Sequence, residues 1–208
     1  MSRELLFGAC HAVLIKEYQG GLFLAGALCG LLFITSANVQ AQAPTFAGNA
    51  QHTSVYPAPA QDLNGIKWST TIDFNPTTTA HYGAPVITAS NTVFVPVKTS
   101  NDGFRVDAFN GSNGAAKYVI NTDYILPAHN WIPVYNPCIA TGSFGTRMYY
   151  AGAGGTILHI DNPDSNLPGA PVREVFYTSL ANYNSNAAAY NNTIFVNTPL
   201  TSDAAGNI

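Results

Sequence analysis

The chain has 208 residues and a formal net charge of −3, with only 9% charged residues, 12% aromatics, 18 glycines and 13 prolines. Its eight lysines and arginines are scattered, leaving no basic stripe to neutralise a phosphate backbone, which argues against a nucleic-acid partner. After residue 45 no helical period survives. The mix of β-branched, aromatic and turn residues predicts an all-β chain of short strands and tight turns.

The N-terminal run Gly20 to Thr35 carries no charge. It follows a segment with Arg3 and Lys16 and precedes a stretch rich in small residues, Ser36 to Ala43. This reads as an export signal over residues 1–41, cleaved after Ala41, and it predicts a periplasmic or extracellular location. An uncleaved membrane anchor is the alternative, because the apolar run is close to the shortest that spans a bilayer. Glu4 and Glu17 depart from the ideal leader. Leu28 before Cys29 does not suit a lipid-attachment site. Cys10 and Cys29 lie in the leader, so Cys138 stands alone and no intrachain disulfide is available to the mature chain. A buried, inert thiol is the expected state of Cys138.

Residues 42–65 read as an extended, Pro-rich segment. Ile66 to Phe74 alternates apolar and polar residues, a strand signal. Pro85 to Thr88 is a short strand, Asn91 a turn, Thr92 to Val97 a second strand and Asn101-Asp102-Gly103 a turn. Phe104 to Phe109 is a third strand, Asn110 to Gly114 a turn and Ala115 to Ile120 a fourth strand. The unit then repeats. Its strands are Pro137 to Ala140, Thr146 to Ala151, Thr156 to Asp161 and, after a longer loop, Glu174 to Tyr177, with a turn at Gly154-Gly155. A third copy starts at Asn186 to Ala189, turns at Asn191-Asn192 and continues through Thr193 to Asn197. Val93, Val95, Met148, Tyr150, Ile194 and Val196 take matching places on inner strands. Four short antiparallel strands make a unit of the size of one propeller blade.

One turn carries a resemblance. Ala108-Phe109-Asn110-Gly111-Ser112-Asn113-Gly114-Ala115-Ala116-Lys117-Tyr118 resembles the blade-ending motif A-x-D-x-x-T-G-x-x-x-W of the quinoprotein (PQQ) dehydrogenase-like β-propellers. Ala108 and Gly114 match, while Asn110, Asn113 and Tyr118 stand for Asp, Thr and Trp. In the second copy Gly155 aligns with Gly103 and Asn162 with Asn110, and the copy ends in Tyr177. Gly48 to Thr53 followed by Ile66-Lys67-Trp68 is similar to the family's opening segment. The resemblance implies that residues 66–208 hold about two complete blades and part of a third. It makes Trp68, Tyr118 and Tyr177 packing residues between blades. Because propellers close with about four to eight blades, it also implies that further C-terminal blades of the same protein complete the ring.

The sequence shows no catalytic constellation. Ala151 to Gly155 is glycine-rich, but an alternating strand pattern follows it, so a turn is expected instead of a phosphate cradle. Asp161 to Asn166 offers close-spaced oxygens, with Asp161 and Asp164 as candidate calcium ligands. It lacks the glycine and glutamate of a calcium loop, so a side-chain-capped turn is expected. His129 and Trp131 join the two units and are candidates for the central channel, where the resemblance places ligands. His52, His81 and His159 are too scattered to suggest a metal site.

Three functions are compatible with these observations. The first is an exported, non-catalytic binding or scaffold propeller that takes a small molecule or an envelope protein. The second is a quinoprotein alcohol or sugar dehydrogenase using PQQ and calcium, as the resemblance implies. For it the family pattern calls for an adjacent cysteine pair and acidic calcium ligands. Here there is no Cys-Cys, and Glu174 is the only glutamate beyond the leader. The third is an envelope-assembly propeller that binds partner peptides through strand edges.

Overall fold

The computed structural model describes residues 43–56, 64–72, 83–99, 103–125 and 135–208. The expected signal segment, the Asn101-Asp102 turn, His81, His129 and Trp131 lie outside the described residues.

Two four-stranded antiparallel sheets dominate the described chain, each a simple meander. The first contains β1 (Val86–Ile87), β2 (Thr92–Lys98), β3 (Gly103–Asn110) and β4 (Ala116–Ile125). The second contains β5 (Cys138–Gly142), β6 (Gly145–Ala151), β7 (Ile157–Asp161) and β8 (Val172–Glu174). Tight turns make the meanders possible. Asn91 has φ of 64° between β1 and β2, and Gly145 has φ of 85° at the β5–β6 hairpin. Asparagine and glycine are the residues that hold the left-handed region at least cost.

Strand alternation builds the core. In the first sheet Val86 faces Phe94, Phe94 faces Ala108, and Ala108 faces Tyr118, which forms one row across four strands. In the second, Ile139 faces Met148 and Met148 faces Ile160. Val86, Phe94, Val106 and Ile120 share one buried cluster with Ile139, Met148, Tyr150, Leu158 and Ile160. The two sheets therefore pack through these faces. Removing each such side chain from water contributes about 1.5–3 kcal/mol, which makes this interface the main source of stability. The other face of the second sheet carries Cys138, Ala140 and Tyr149, covered by Leu200.

Residues 43–45 stitch these parts together. Ala43 O accepts from Ile87 N of β1 at 2.9 Å, and Pro44 O accepts from Ile139 N of β5 at 2.6 Å. Thr45 Oγ1 donates to Leu200 O at 3.1 Å. One short stretch thus satisfies edge groups of both first strands that would otherwise lack partners.

Strands β2 and β6 occupy interior positions of their sheets, as the places of Val93, Val95, Met148 and Tyr150 predict. Three expectations are corrected. Ile66 to Ile72 forms no strand: Ile66 is 86% exposed, and the segment is anchored by its half-buried Trp68 instead of by a ladder. The fourth strand of the second unit is Val172–Glu174, ahead of the expected Glu174 to Tyr177, because Arg173 sits opposite Leu158 and reaches Thr156 Oγ1. The expected third unit is not a set of strands. Its place is taken by α1 (Leu180–Ser185) and α2 (Ala187–Thr193), and Ile194 and Val196 lie in an extended segment outside any described sheet. Ser179 caps α1, its hydroxyl accepting from Asn182 N at 3.2 Å. Ala187-Ala188-Ala189 then supplies the strongest helix former three times over.

Candidate functional site

The motif residues assemble two docking contacts of the same design. Asn110 ends β3, and its Oδ1 accepts from Ser112 N at 2.8 Å. Gly114 closes the turn at φ of 73°, its N–H donating to Asn110 O at 2.7 Å. The indole of Trp68 lies over this turn, and its Nε1–H donates to Gly111 O at 2.8 Å. A methyl group on Gly114 would stand 2.6 Å from the Trp68 ring, so the close approach requires glycine. In the second sheet Asn162 follows β7 with φ of 49°, and the hydroxyl of Tyr118 donates to Pro163 O. Trp68 and Tyr118 thus each donate to the carbonyl one residue past the turn asparagine. Burial pushes the Tyr118 hydroxyl far above its ordinary pKa, with Asp164 adding to the effect, so it remains a donor at any physiological pH. Beside it Lys117 Nζ donates to Asp164 O at 2.7 Å, and Thr88 Oγ1 donates to Asp164 Oδ1 at 2.5 Å.

Tyr177 behaves differently from the other two aromatics. Its hydroxyl donates to Gly154 O at 2.5 Å, within its own unit, and its ring contacts Phe176 and Tyr190. Gly154 and Gly155 form a 3-10 turn between β6 and β7, as the strand that follows them predicts. Arg173 holds this turn in place. It pairs with Asp123 of β4 at 2.5 Å, reaches Thr156 Oγ1 and lies over the Tyr183 ring, while Asp123 Oδ1 accepts from Ala153 N at 2.9 Å. Neither Asp123 nor Arg173 stands out in the sequence. An isolated Asp and an isolated Arg carry no signal until the fold brings Arg173 of β8 within reach of Asp123 of β4.

A cleft of about 390 Å³ opens beside the residues that stitch the sheets, lined among others by Asn49, Gln51, Ile139, Thr141, Ser202 and Asp203. Much of its polar lining is already engaged. Ser202 Oγ donates to Ile139 O at 2.7 Å, and Asn49 is bonded to Thr53. Asp203 accepts from the side chain and backbone of Asn207 and from Ala205 N. Asn207 first, then these backbone amides, hold the Asp203 carboxyl below its ordinary pKa, so it is an anion and no proton donor at neutral pH. The cleft can offer hydrogen bonds to a neutral polar ligand. Among its described lining residues no nucleophile is paired with a base.

Among the described residues, the other reactive side chains lie apart from this cleft. Cys138 is fully buried, and burial pushes its thiol up to about 12. His159 is buried, with Nδ1 3.4 Å from Glu174 Oε1 yet without a hydrogen bond. Burial and then Arg147 lower its pKa, while Glu174 and Asp161 oppose them, so it is neutral at pH 7. The two candidate calcium ligands diverge. Asp161 pairs with Arg147 at 2.6 Å, whereas Asp164 accepts from Thr88. Among the described residues no group of three or more His, Cys, Asp or Glu side chains converges on a metal-sized site. The described residues thus bring together no acidic set of the kind a calcium–PQQ pair uses. His52 is exposed with φ of 53°, its ring edge-on to Phe46 at 5.5 Å. Among the described residues no helix is long and apolar enough to cross a membrane. Comparison with protein-family models, with curated proteins and with solved structures gives no match.

Proposed function

We propose that the chain is part of an exported, non-catalytic binding or scaffold module built from β-propeller blades of the quinoprotein dehydrogenase-like kind. One observation carries this reading. Trp68 and Tyr118 donate to Gly111 O and Pro163 O respectively, each acceptor lying one residue past its turn asparagine. A contact repeated in phase is how radially stacked units meet. The non-catalytic part is supported by the engagement of Asp161, Asp164 and Asp203 in structural bonds and by the buried state of Cys138.

Two measurements test the reading. An experimental structure of the complete protein is expected to show four-stranded units around one axis, with each docking aromatic on the next turn. Two isolated sheets packed as a closed sandwich would refute the propeller. Separately, the purified protein with PQQ, Ca²⁺, an alcohol or aldose and a dye acceptor is expected to show neither quinone binding nor dye reduction. Stoichiometric binding with turnover would replace this reading by the dehydrogenase.

A further inference from the structure

The chain contains three Asn-Gly dipeptides: Asn64-Gly65, Asn110-Gly111 and Asn113-Gly114. In this pair the glycine amide nitrogen can approach the asparagine side-chain carbon unhindered, since no Cβ stands in the way. Whether cyclisation proceeds depends on what holds the two groups. At the second pair Gly111 N–H donates to Asn91 O at 2.8 Å, and Asn110 Oδ1 accepts from Ser112 N at 2.8 Å. At the third, Gly114 N–H donates to Asn110 O at 2.7 Å, and Asn113 Oδ1 accepts from Ala115 N at 3.0 Å. Trp68 also packs on Gly114. In both pairs the attacking nitrogen and the attacked amide are each engaged in the docking turn.

Asn64-Gly65 lacks all of this. Both residues are exposed, neither belongs to a helix or strand, and neither bonds any described residue. No described residue lies within 4 Å of where a Gly65 side chain would begin.

We infer that Asn64 is a site of spontaneous covalent modification, and that the docking turn protects Asn110 and Asn113 from the same reaction. The Gly65 nitrogen, losing its proton, forms a bond to Asn64 Cγ. The Cγ–Nδ2 bond breaks, and ammonia leaves with that proton. Water then opens the five-membered imide at either carbonyl, giving aspartate or isoaspartate at position 64. No oxidant or reductant is needed. Either product adds one negative charge. Isoaspartate also lengthens the backbone by one carbon, in the segment that leads to the Trp68 anchor.

The test is incubation of the full chain in mildly alkaline buffer, followed by peptide mapping by mass spectrometry and labelling with isoaspartyl methyltransferase. Conversion at Asn64 is expected to exceed that at Asn110 and Asn113 by about tenfold or more, because each turn pair must first break two hydrogen bonds. The same chain in urea is expected to convert all three sites at similar rates, which shows that the fold sets the difference. G65A is expected to slow conversion at position 64 without changing the melting temperature, since that position is open. Equal rates at the three sites in the folded chain, or an unconverted Asn64, would overturn the inference.

Discussion

Tyr118 joins two kinds of interaction at one residue: its ring lies beside Phe94, and its hydroxyl bonds Pro163 O. They can be separated by substitution. Tyr118→Phe keeps the ring and is expected to cost about 1 kcal/mol, the net worth of a hydrogen bond. Tyr118→Ala removes both and is expected to cost about 3 kcal/mol. Urea denaturation of the two variants reads the difference, and equal losses would mean that the ring contributes nothing. His159 supplies a second prediction, one of pH. Its pKa is lower folded than unfolded, so below about pH 6.5 the unfolded chain binds more protons and stability falls. That contribution is present above the unfolded value and is lost as pH falls toward the folded one. The groups facing the imidazole are Arg147, Asp161, Glu174 and Tyr149. Melting temperature is expected to drop between about pH 7 and about pH 5, and His159→Gln is expected to flatten part of that drop. An unchanged slope in the variant would assign the acid sensitivity to other groups.

At the scale of elements, α2 is the informative case. Asn91-Thr92-Val93-Phe94-Val95 and Asn192-Thr193-Ile194-Phe195-Val196 differ at one position, yet the first lies along β2 and the second leaves a helix without joining a described sheet. Thr92 to Val95 lie opposite Asn110 to Asp107 of β3. Phe195 and Val196 find apolar contact with the core but no ladder. Local sequence therefore does not decide the outcome; the neighbour does. This marks how far the sequence can be read. The strands with strong alternation and a turn residue at each end, such as Thr92 to Val97, were legible to within a residue or two. So was the docking turn, because Asn110, Gly111 and Gly114 are required by its backbone. The helices were not, since Asn191-Asn192 reads equally as a turn and a helix end. The Asp123–Arg173 pair and the cleft were also not legible, because both depend on chain segments far apart in sequence. Helix α2 buries no residue, so Ala188→Gly is expected to weaken it by about 1 kcal/mol without unsettling the sheets. Hydrogen exchange should then speed up over residues 187–193 and stay unchanged over β2 and β6. A cooperative loss of protection in both sheets would show that α2 is integral to the core.

For the whole molecule, polar ties join segments far apart in the chain. Arg173 reaches from β8 to Asp123 of β4, and Thr45 reaches Leu200. Because Asp123 is half exposed, Arg173→Met is expected to cost only about 1–2 kcal/mol after solvent screening. Chemical denaturation checks this, and a larger loss would mean that the guanidinium also carries the Tyr183 contact. The stitch at residues 43–45 has a consequence for the order of events in folding. Each meander pairs strands close in sequence, and such contacts close quickly. Thr45 and Leu200, by contrast, are separated by 155 residues, so their contact requires closure of a loop that includes both meanders. It should therefore form after the transition state and hold the folded chain kinetically. Thr45→Val is expected to leave the refolding rate unchanged while raising the unfolding rate about fivefold, the kinetic share of one late hydrogen bond. Stopped-flow chevrons would show this as a shift confined to the unfolding limb.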